Sequence, residues 1–152
     1  MPYEEIQHTA DWGLRIWAGD LPGLFIEAAR GMNTLMGVQA VPTEGAIPAP
    51  GPAESDTGQR SPLRRLILTA PDVEALLVAF LSEMLYLVEQ EHITLDNLQV
   101  SLFPGEALWR LEAVGEARPL ARVQKLIKAV TYYNLHIRSD EDGYSVEVVF
   151  DV

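Results

Sequence analysis

The chain has 152 residues, of which 48% are hydrophobic and 22% charged, and its formal net charge is -11. That apolar content over that length supports one domain with a sizeable core and excludes a chain disordered throughout. The negative field repels phosphate backbones and anionic lipid, so autonomous nucleic-acid binding is not expected, and a cation or a basic protein surface is the favoured partner.

Period-two alternation over Tyr3 to Thr9 and again over Trp12 to Ala18 predicts two strands. Between them Asp11 and Gly13 mark a bend or bulge, a usual place for a side chain to be aimed at a site. From Leu21 to Met36 apolar residues recur at intervals of three and four, with Asp20 as N-cap and Gly37 as C-terminal stop, which predicts an amphipathic helix. Val41 to Pro62 mixes proline with glycine, alanine, glutamate and serine. It has too little to bury to offset its ordering entropy and reads as a mobile surface loop. A strand over Leu63 to Thr69 follows, then a second, longer helix over Asp72 to Glu91 with an apolar stripe running from Leu76 to Val88. Four further strands are predicted: Ile93 to Phe103, Ala107 to Gly115, Ile127 to Arg138 and Tyr144 to Val152. Turn chemistry stands at Pro104-Gly105-Glu106 and at Asp140 to Gly143. Two long helices and about seven mostly antiparallel strands predict an α+β layered fold, a single domain over 1–152 with the 41–62 loop within it.

The absence of cysteine excludes disulfides and thiolate metal sites, and His8, His92 and His136 show no paired spacing for zinc. The acidic start Met1-Pro2-Tyr3-Glu4-Glu5 does not read as a signal peptide, and no apolar run reaches membrane-spanning length, so a soluble, cytoplasmic protein is expected. No nucleophile elbow, phosphate-binding glycine loop or dinucleotide fingerprint is present.

What stands out is a carboxylate near each end. Asp151, in the run Val148 to Val152, places its carboxylate beside the oxygens of Val152. If the fold also brings Asp11 there, three or more hard oxygens converge, as Ca²⁺ or Mg²⁺ requires. His8 lies three residues before Asp11 and could pair with it as a general base, or serve a structural hydrogen bond at the bend. Lys128, a cation inside an apolar run, is either a guard against edge-to-edge pairing or a functional group. Glu83, within the stripe of the second helix, either faces solvent or turns towards Lys128 or the cation. Trp12, Trp17 and Trp109 read as core or half-buried sheet residues.

Four stretches then carry a likeness in order: His8-Thr9-Ala10-Asp11-Trp12-Gly13, the helix segment Leu77 to Tyr86, Ile127-Lys128-Ala129-Val130-Thr131-Tyr132, and Val148-Val149-Phe150-Asp151-Val152. Together they resemble the archease family over almost the whole chain. The resemblance implies an archease-like fold and a cytoplasmic accessory protein, not itself an enzyme. Such a protein promotes guanylylation and repeated turnover of an RtcB-type RNA ligase in tRNA splicing or RNA repair. It also implies a divalent-cation site at Asp11, Asp151 and Val152, with Ca²⁺ the first expectation and Mg²⁺ or Mn²⁺ the alternatives. Lys128 is the activating or partner-contacting residue it implies, and Glu83 and His8, singled out above from the residues alone, are grouped with it as candidates for that role. The chain departs from the family pattern at Tyr133, where a histidine commonly stands, and in the length of the proline-rich segment. Two other readings stay open: a metal-dependent hydrolase in which Asp11, His8 and a bound cation activate water, and a chaperone-like binding module for RNA-processing proteins.

Overall fold

The computed structural model describes residues 2–7, 12–42 and 62–152, with only the backbone of Ile6 and Gln7. His8, Asp11 and all but the two ends of the proline-rich segment lie outside the described residues. In chain order the elements are β1 (Tyr3–Gln7), β2 (Trp12–Ala18), α1 (Leu21–Met36), β3 (Gln39–Ala40), β4 (Leu63–Ala70) and α2 (Val73–Tyr86), which a π-helical turn (Leu87–Glu91) extends. Then come β5 (Ile93–Phe103), β6 (Trp109–Arg122), β7 (Ala129–Val130), β8 (Arg138–Asp140) and β9 (Gly143–Asp151).

Both helices start where a carboxylate can satisfy a first-turn amide. Gly23 N donates to Asp20 Oδ1 and Ala75 N to Asp72 Oδ1, each at 2.7 Å. α1 stops because Gly37 turns left-handed (φ 65), letting Gly37 N reach Thr34 O and Val38 N reach Asn33 O. α2 does not stop so cleanly. Its last turn widens, and His92, also left-handed (φ 56), sends its N–H back to Leu87 O.

The strands form two sheets. In the first, β9 is central. β2 pairs along one edge of it, while β7 and β8 share the other edge, and β1 extends the sheet beyond β2. In the second, β6 is central: β4 and β5 pair with overlapping stretches of it and therefore take its two edges, and β3 pairs near its end. Each helix touches strands of both sheets, α1 through β2 and β5, α2 through β4 and β7. One apolar cluster results. Leu14, Ile16, Val148 and Phe150 enter it from the first sheet, and Leu66, Leu111 and Ala113 from the second. Phe25 of α1 and Phe80 of α2 meet between them, ring centroids 5.8 Å apart.

The α+β layered architecture agrees with the expectation, with about nine strands where about seven were predicted. Two differences have physical causes. β6 runs past Gly115 to Arg122 because that glycine is a packing site, not a stop: a Cβ there would lie 2.8 Å from Leu95 Cβ. The single strand expected over Ile127 to Arg138 is two short ones. Thr131 is tied to Val149 O through its backbone N–H at 3.0 Å and its hydroxyl at 2.8 Å, and Asn134 turns left-handed (φ 50) before β8 begins. The described ends of the proline-rich segment are fastened close together. Val41 N donates to Pro119 O and Pro62 O accepts from Ala117 N, each at 2.8 Å.

Candidate functional site

β9 is the organising element of the site. It buries Val146 and then Val148, Val149 and Phe150 in succession, and leaves Glu147 and Asp151 exposed, so its final carboxylate stands at the rim of the core. Trp12, the residue that follows Asp11, pairs with Phe150, the residue that precedes Asp151. On the other edge of β9, Ala129 pairs with Asp151 and Lys128 N donates to Asp151 O at 2.7 Å. Buried Ile127 anchors the approach to β7, and the Lys128 side chain is exposed beside this corner.

Of the residues singled out from sequence, Asp151, Val152 and Lys128 are thus brought together. Asp151 is exposed, while Val152 is half-buried against the core. Glu83, half-buried on α2, contributes to the field that raises the pKa of Arg64, a shift led by the Arg64–Glu91 hydrogen bond. His8 and Asp11 lie outside the described residues.

Carboxylate and carbonyl oxygens from Asp151 and Val152 are hard donors, suited in kind to Ca²⁺ or Mg²⁺ and ill suited to soft metals. Among the described residues no group of three His, Asp or Glu converges. The described part of the corner therefore offers oxygen donors of a suitable kind but no assembled cation site.

Sequence reasoning missed Lys125. Its Nζ lies 4.8 Å from the Trp12 ring centroid, a cation–π contact that joins the segment before β7 to the start of β2. A signal was available: Lys125 and Lys128 are the only lysines in the chain. Trp12 and Trp109 are half-buried as expected, whereas Trp17 is more exposed.

No helix among the described residues is long and apolar enough to cross a membrane. The family model described as the Archease protein family matches residues 3–152. "Protein archease" of Methanosarcina acetivorans is 31% identical, with 99% of this chain and 95% of the relative covered. "Protein archease" of Methanopyrus kandleri is 27% identical with both chains covered in full. Among solved structures, a Methanobacterium thermoautotrophicum protein superposes with a TM-score of 0.72 at 21% identity, covering 99% of each chain. A Thermotoga maritima archease, described as a possible chaperone, gives 0.61 at 16% identity over 98% of this chain and 96% of its own. These two share the fold; the match from residue 3 to residue 152 and the relatives aligned from end to end place this chain in the archease family.

Proposed function

We propose that this archease acts in the cytoplasm, as one domain, as an accessory protein of an RtcB-type RNA ligase. It promotes guanylylation and repeated turnover of the ligase and performs no ligation itself. Asp11, Asp151 and Val152 hold a divalent cation, with Ca²⁺ the first candidate, and Lys128 contacts the partner, with Glu83 and His8 in support.

The observation that carries this reading is the meeting of β2, β9 and β7 at one corner. Trp12 opposite Phe150 and Ala129 opposite Asp151 gather three of the four family-like stretches around one exposed carboxylate. Asp11 directly precedes Trp12 in the sequence, which is why it is proposed as a donor at this corner. The acidic whole, at -11, favours a basic partner surface. The test is to add the purified protein, at a small fraction of the ligase concentration, to a GTP-dependent guanylylation assay of the cognate ligase, with and without chelator. Acceleration that chelator abolishes is the expected result. No acceleration, or turnover of substrate by the archease alone, contradicts the accessory role.

That the Thermotoga maritima archease is described as a possible chaperone favours a second reading, a chaperone-like module for RNA-processing proteins, with the cation only bracing β9. In that case Asp151→Ala lowers the melting temperature and leaves partner binding unchanged.

A further inference from the structure

The charge of this chain is strongly segregated. Residues 117–139 contain Arg118, Arg122, Lys125, Lys128 and Arg138, with His136, and no Asp or Glu; all 22 acids lie elsewhere. A polyanion at contact feels the charges within about a Debye length, roughly 8 Å at physiological salt, more than the total. The net charge of -11 slows its approach without deciding what happens at this segment.

Residues 117–122 of the segment belong to β6 of the second sheet and Lys125 reaches over the Trp12 ring, while from Lys128 to Arg138 the segment runs along the edge of β9 that β7 and β8 share. Lys128 stands beside Asp151, and Arg138 pairs with Ser145 six residues away, about 20 Å along the strand at ~3.3 Å per residue. Between them Tyr132 and Tyr133 project, 62% and 59% exposed. Arg118 is committed, to Asp96 Oδ2 at 3.0 Å and Val41 O at 3.1 Å. Lys125, Lys128 and Arg138 have no ion-pair partner among the described residues. Two nearby acids are already engaged: Glu147 accepts from Arg15 Nη2 at 2.8 Å, and Glu74 accepts from Ile137 N at 3.1 Å and faces His136 at 3.8 Å. Asp140 and Asp151 close the two ends of the strip. Beside it opens a cavity of about 720 Å³, lined in part by Arg15, Asn134, His136, Arg138 and Ser145 and by the Glu147 carboxylate that Arg15 pairs. That volume falls in the range of small-ligand sites.

We propose that this strip binds a short stretch of single-stranded nucleic acid. Phosphates contact Lys125, Lys128 and Arg138, a base stacks on Tyr132, and the cavity receives an adjoining nucleotide. A duplex hides its base faces and cannot use the tyrosines in this way. An acidic protein would use the cations alone. The surface works without any ligase and stands or falls separately from the accessory role.

The full chain is titrated into fluorescently labelled oligo-uridine and oligothymidine, and anisotropy is followed from about 50 mM to 200 mM salt. Saturable binding with a log–log salt slope of about -2 is expected, from roughly -0.7 for each of three phosphate contacts. Arg138→Ala reduces the magnitude of that slope by about 0.7, and Tyr132→Ala weakens binding about tenfold with the slope unchanged. Both side chains are exposed, so melting curves of the two variants are expected to overlay that of the parent. Absence of saturable wild-type binding at the lowest salt overturns the proposal, whatever the variants do. Binding that Tyr132→Ala leaves intact and that polyglutamate displaces equally overturns it too, in favour of an acidic protein partner.

Discussion

A methyl group added at Gly31 meets Leu14 Cδ2 at less than contact distance, with Tyr3 Cγ at 3.2 Å on another side. In an exposed helix, Gly→Ala gains about 1 kcal/mol from propensity. Here Leu14 is 1% exposed and has no room to swing aside, so overpacking of about 1–3 kcal/mol is the larger effect. Gly31→Ala is therefore expected to lower stability by up to about 2 kcal/mol in urea unfolding, and a gain would show that α1 and β2 are not in such close contact. The N-cap of α2 gives a simpler case. Asp72→Ala removes the acceptor of Ala75 N and is expected to cost about 1 kcal/mol, a fall of roughly 2–4 °C in melting temperature. At the site, Asp151→Ala removes the exposed carboxylate at the end of β9. Calorimetry with Ca²⁺ is expected to show at least about tenfold weaker binding, and unchanged affinity would move the cation elsewhere.

At the scale of elements, α1 was legible residue for residue, because a capping carboxylate, a period of three to four and a stopping glycine all agree over Leu21–Met36. α2 was legible as a helix, but the wide extent of its apolar surface reflects contact with both sheets, which a one-sided stripe does not convey. Phe80→Ala in its middle is expected to cost about 3–5 kcal/mol, since Phe25 and the rest of a closed core cannot refill the space. The strand over Ile127 to Arg138 was not legible, because its breaks come from a hydroxyl bonding to a distant strand and from a left-handed asparagine. The pairing of β9 with β2 was hidden for a related reason: partners more than a hundred residues apart leave no local periodicity, and the likeness of the motifs pointed to their meeting. Arg15 ties β2 to β1 and β9 through Glu4 and Glu147. The hydrogen bond and charge of Glu147 raise the already high pKa of its guanidinium. A raised basic pKa contributes stability below the unfolded value and loses it only as pH rises through the folded one. The Arg15 links are accordingly expected to leave stability flat across the neutral range, as thermal melts at several pH values would show.

For the molecule as a whole, two scaffolds of strands are joined by helices that touch both, and the exposed corner where β2, β9 and β7 meet carries Lys128 and Asp151. An acidic body that carries a cation-rich strip offers surfaces of both signs, which is the physical requirement of the two proposals. The central claim is that the Asp151 corner acts on a ligase rather than on a substrate of its own. The most direct test is ligation under multiple turnover, with the cognate ligase limiting and either wild-type archease or Asp151→Ala added, both shown by melting curves to be folded. The account predicts many turnovers with the wild type and a rate with Asp151→Ala near that of ligase alone. Equal stimulation by the two proteins would contradict it.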